Sequence, residues 1–138
     1  MKTATNIKPG NVVRHFSGTK TNRNIKMRKI VNLIEPKNGI VRLMIHNDKN
    51  GTYLFGFRKF EDCSSEFDEW YESEIFALES CESEYGINIK NWNEIPNPEE
   101  NCQQDWINPV RVKGRKNGNP EFGKLEKKMN GKWIEFLE

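Results

Sequence analysis

Residues 26–60 constrain the fold of this chain more than any other stretch, because they read as three β-strands joined by two tight turns. Asn38-Gly39 and Asn50-Gly51 each lie between apolar-rich runs. A two-residue type I′ hairpin needs positive φ at both central positions, which Asn and Gly tolerate best. Between the turns Val41, Leu43 and Ile45 alternate with Arg42, Met44 and His46, which predicts one buried and one solvated face. Tyr53, Phe55 and Phe57 then share a face and bring large aromatic rings to the core.

The same pattern returns after Pro109. Val110–Lys116, Glu121–Met129 and Lys132–Leu137 are separated by Asn117-Gly118 and Asn130-Gly131, which predicts a three-stranded antiparallel meander. Upstream, Pro9-Gly10 is a turn signal, Asn11–Arg14 opens a first strand, Ser17–Lys26 is an exposed loop and Met27–Glu35 is a second strand. Residues 86–107, with Pro96, Pro98 and several Asn and Gln, read as an acidic, proline-containing connector pinned by Trp92 and Trp106. The expectation is a mainly β protein with minor α: a small barrel in 1–85, the connector in 86–107 and the meander in 108–138. At 138 residues these parts belong to one compact unit.

Two readings fit Phe67–Tyr85. In one, Tyr71, Ile75, Leu78 and Tyr85 line the apolar face of a helix. In the other, Phe67–Tyr71 is a strand, Glu72–Ile75 a single 3₁₀ turn and Phe76–Leu78 a closing strand. The second is the expectation, because a barrel opened at Asn11 needs a strand to cover its edge.

Five to six short strands opened by Pro9-Gly10-Asn11-Val12-Val13-Arg14 resemble a small SH3/Tudor-like or KOW-like barrel over residues 8–80. Arg14-His15-Phe16-Ser17-Gly18, with Arg58 and Phe60, is also similar to a bacterial domain family of unknown function. These resemblances imply a fold and carry no activity.

Charge carries the functional information. Residues 1–60 hold 13 bases and two acids, 61–100 one base and 13 acids, and 101–138 eight bases and five acids. The net charge of +2 hides segments of opposite sign, a pattern that points to an electrostatic partner inside or outside the molecule. If Arg28, Arg42 and Arg58 point outward, they form one basic surface with Lys59 and the loop bases Lys20 and Arg23. Trp70 and Tyr71 would be available for stacking, although core packing suits at least one of them. Such a surface predicts binding of nucleic acid or a phosphate-bearing nucleotide. The alternative uses Glu61, Asp62, Glu66, Asp68, Glu69, Glu72 and Glu74 as a nucleic-acid mimic that occupies a basic nucleic-acid-binding protein. The Asn-, Lys- and Ile-rich composition suits a phage or prophage gene product, here an inhibitor of a bacterial defence protein. A plainer outcome is that the acidic segment folds onto the basic sheet and the charges satisfy each other.

Catalysis is not expected. Ser17-Gly18-Thr19-Lys20-Thr21 lacks the upstream glycine and following helix of a phosphate loop, and no His pair has metal spacing. Cys63, Cys81 and Cys102 are odd in number and lack ligand spacing, so neither metal nor cofactor is expected. No apolar run suggests a signal peptide or membrane span, giving a cytoplasmic expectation. Exposed strand edges would allow a homodimer.

Overall fold

A computed structural model describes residues 27–137. The strand expected at Asn11–Arg14 and the loop bases Lys20 and Arg23 lie outside them. The described chain is mainly β. Its strands are β1 (Arg28–Lys37), β2 (Ile40–Asp48), β3 (Gly51–Phe57), β4 (Phe67–Tyr71), β5 (Asn93–Ile95), β6 (Val110–Val112), β7 (Leu125–Met129) and β8 (Lys132–Phe136), with one helix, α1 (Glu74–Tyr85). The strands form two antiparallel sheets, ordered β4-β3-β2-β1-β5 and β6-β7-β8. Among the described residues no pairing joins β4 to β5, so no barrel closure is seen within them.

Asn38 and Gly39 both adopt positive φ (55° and 83°), as a type I′ turn between β1 and β2 requires. Asn130 and Gly131 (52° and 80°) do the same between β7 and β8. The other two Asn-Gly steps behave differently. Between β2 and β3 the two turn residues are Lys49 and Asn50, because the Asp48 carboxylate accepts the Asn50 N–H at 2.7 Å and turns the chain one residue early. Arg115–Asn117 is a 3₁₀ turn that Gly118 terminates, so β6 is shorter than expected.

The register puts Val31, Leu43, Ile45, Leu54 and Tyr71 on one face of the first sheet, under α1. Ala77, Leu78 and Cys81 of the helix, with Ile87 and Trp92 after it, complete that core. Each apolar side chain buried there contributes roughly 1.5–3 kcal/mol relative to exposure. The opposite face is covered too, against expectation. Met44, Phe55 and Phe57 are buried on it beneath Cys63 and Ile107, so β2 is apolar on both sides. Trp106 carries the packing onward, with its ring edge-on to Phe136 of β8 at 5.6 Å.

Phe67–Tyr71 is a strand, as expected, but the closing strand at Phe76–Leu78 is not formed. That stretch belongs to α1, and the reason lies at its ends. Ser73 is extended (φ −148°, ψ 162°) and its hydroxyl accepts the Phe76 N–H at 3.4 Å. At the other end Gly86 takes the left-handed conformation (φ 72°) and its N–H donates to Glu82 at 3.0 Å. The strand beside β1 comes instead from β5, inside the segment read as a connector.

Candidate interaction surfaces

Arg28 does not reach the surface. It opens β1 with 1% of its area exposed, and its guanidinium is wrapped by main-chain carbonyls. Nε donates to Pro96 O at 2.8 Å, Nη1 to Gln104 O at 2.6 Å and Trp106 O at 2.7 Å, and Nη2 to Ile107 O at 3.3 Å. Burial pulls its pKa down, while Asp62, Asp105 and Cys102 push the other way. The two segments over it are tied reciprocally. Asp62 accepts the N–H groups of Ile107 and Asn108, at 2.8 and 2.9 Å, and Asp105 accepts that of Ser65 at 2.8 Å. The role expected for Arg28 as a surface ligand is therefore corrected: five fixed donors suit it to gathering carbonyls in a fold clasp.

The other expected bases do not converge. Arg42 is half-buried, donates to Asn32 Oδ1 at 2.9 Å and stands 5.9 Å above the Phe60 ring. Arg58 packs against the Asn38-Gly39 turn and pairs with Glu66 at 3.4 Å. Lys59 is exposed. Tyr71 is 2% exposed and its hydroxyl is held between Glu69 (2.9 Å) and Ser80 (3.0 Å), so it belongs to the core. Burial raises its pKa, with the Glu69 carboxylate adding to the rise. Trp70 is 40% exposed, and its Nε1 donates to Asn50 O at 2.9 Å.

Its indole, through Nε1, Cε2 and Cζ2, fills the space a Cβ at Gly51 would need, and the φ of +132° there is a conformation that L side chains rarely adopt. A Gly51→Ala replacement is expected to cost about 1–3 kcal/mol through that strain and the clash with the ring. The urea midpoint checks it. The double variant with Trp70→Ala should recover the clash but not the strain, giving a cost below the sum of the singles.

Of the expected acids, Asp62 is consumed by the clasp, and Glu74 pairs with Lys29 at 2.6 Å, both partly exposed. Glu66 and Glu69 face Arg58 and Tyr71, as described above. Glu61, Asp68 and Glu72 are exposed and make no ion pair among the described residues. Glu79, Glu82 and Glu84, counted in the acidic 61–100 segment but not singled out from the sequence, are also exposed on α1 without ion pairs among those residues. Glu72, Ile75, Glu79 and Glu82 recur at helical spacing, a signal that becomes readable only once the helix is recognised. Glu72, Glu79 and Glu82 thus share one exposed side of α1 and its lead-in, which follows directly on β4.

The second sheet is basic but largely engaged. Arg111 stacks 3.8 Å from the Trp133 ring centre and pairs with Glu126 at 3.0 Å. Lys113 pairs with Glu135 at 3.0 Å and Lys128 with Glu99 at 3.2 Å. A groove of about 290 Å³ runs along Val31–Glu35 below Tyr85 and Ile87, and an open hollow of about 400 Å³ lies between His46–Lys49 and Asn97. Among the described residues no three His, Cys, Asp or Glu are grouped to hold a metal ion. Nor is any helix among them long and apolar enough to cross a membrane. No family model matches the chain, and neither a curated protein nor a solved structure matches it.

Proposed function

We propose that this is a non-catalytic cytoplasmic binding protein whose acidic surface on α1 and β4 engages a basic, nucleic-acid-binding protein and occupies its nucleic-acid channel. One observation carries the reading. The last turn of α1 holds no base, while Glu82 and Glu84 stand at its negative end. Carboxylates there each oppose the helix dipole by about 0.3–1 kcal/mol. Only the Lys37 ammonium, donating to the Glu84 carbonyl at 2.5 Å, offsets them among the described residues. A local rule broken with only this one offsetting base inside the fold supports reading the surface as one kept for another molecule. Residues 27–137 also carry sixteen bases against nineteen acids, so the described part is itself net negative.

The antiparallel order β4-β3-β2-β1 supports reading the first sheet as a relative of the Tudor-like barrel, with α1 standing where a 3₁₀ turn and a closing strand were expected. A phage or prophage inhibitor of a nucleic-acid-targeting defence protein is the setting that this charge and composition fit. Nucleic-acid or nucleotide binding keeps one observation in its favour: residues 1–26 carry six bases and no acid.

Titration with a polylysine 20-mer and with single- and double-stranded DNA 20-mers separates the two. The expected result is polylysine binding that weakens with salt and falls at least tenfold in a Glu72→Lys, Glu79→Lys, Glu82→Lys variant. DNA binding with a steep negative salt slope, unaffected by that variant, would overturn the assignment.

A further inference from the structure

We propose that the outer edge of β4 takes up an extended, arginine- or lysine-bearing segment of the partner as a sixth strand of the first sheet. This rests on the acidic-surface reading above and names how the partner is held. β4 ends the sheet, and among the described residues its ladder runs to β3 alone. Alternate residues of such a strand aim their N–H and C=O groups away from the sheet, a template for one more strand.

The other edges are blunted. The free edge of β1 beyond Ile30 contains Pro36 and a register shift between Asn32 and Lys37. β5 and β6 have three residues each, and β8 opens with Lys132. β4, Phe-Asp-Glu-Trp-Tyr, has no proline, lysine or bulge. Its protection is negative charge alone.

That charge selects the occupant. A second copy paired about a two-fold at β4 would set Glu69 against Glu69, and like charges directly opposite destabilise a pair. A cationic strand meets the reverse. Asp68 and the half-exposed Trp70 lie two residues apart on the same face, one offering a carboxylate and the other a ring for an arginine or lysine side chain. Exposed Glu72 just beyond the strand extends the charged edge. The segment that fits alternates cationic residues, on the Asp68–Trp70 face, with uncharged ones.

The probe is a ten-residue peptide of alternating arginine and valine, compared with the same peptide N-methylated at every valine and another N-methylated at every arginine. Each keeps its charge, but only one methylated set blocks the ladder bonds to β4. The expected result is binding by the unmodified peptide, with slowed amide exchange within residues 67–71, and at least a tenfold loss in one methylated peptide only. Equal binding by all three, with exchange at 67–71 unchanged, overturns strand addition and leaves the acidic-surface reading intact. Failure of both this peptide and polylysine to bind removes both.

Discussion

Replacing Arg28 with methionine is expected to destabilise the protein by about 3–5 kcal/mol, among the largest losses available from one side chain. Methionine keeps most of the apolar stem but withdraws the donors that four carbonyls share. A buried acceptor left unpaired costs about 1–3 kcal/mol, and relaxation or entering water recovers part of the sum. Arg28→Lys should fall between the two, because a single ammonium cannot span carbonyls from Pro96 to Ile107 as a planar fork does. Urea unfolding checks both. A methionine variant within 1 kcal/mol of the parent would show that the clasp residues hold their positions without the guanidinium.

The clasp also shows why the sequence was legible in some places and opaque in others. Hairpins are local: Asn38-Gly39 and Asn130-Gly131 needed only their own φ preferences, and both are where the residues say. Asn50-Gly51 failed because a neighbouring side chain, Asp48, supplied a competing turn. Alternation along β2 was visible, but the cover over Met44 comes from residues near 63 and 107, whose approach no period in β2 encodes. The same distance misled the charge reading. Arg28 looked like any other strand base, since its partners lie 68 to 79 residues away.

For the surface, the net acidity of 61–100 was plain, but its sharing-out was not. Asp62, Glu66, Glu69 and Glu74 found partners within the fold, whereas Glu79, Glu82 and Glu84 did not. The plainer outcome, in which opposite charges cancel inside the molecule, holds for part of the segment only. The choice of strand over helix at Phe76–Leu78 hid that division, because only a helix brings Glu72, Glu79 and Glu82 to one side.

Raising the pH above about 9 is expected to destabilise the protein progressively, the second large effect. Cys81 is fully buried on the inner face of α1, and burial pushes its thiol up to about 12, with Glu69 and Glu84 adding to the rise. Burial also raises Tyr85 to about 12, helped first by Glu84, and raises Tyr71 further. In the unfolded chain these groups would titrate near 9 for the thiol and 10 for the phenols. Above pH 9, therefore, the unfolded state has lost protons that the folded state retains, and stability falls with pH. Their contribution is complete below pH 9 and is lost as pH climbs towards 12. Urea midpoints should be level from pH 7 to 8.5 and drop progressively from 9 to 11. In a Tyr53→Phe background, absorbance of the phenolates should appear together with the loss of circular dichroism. Phenolate absorbance near pH 10 with dichroism intact would mean that Tyr71 and Tyr85 ionise in place, and that the face beneath α1 admits water and charge. Cys81→Ala should remove one of the three protons and make the fall shallower, which separates the thiol's share from that of the rings.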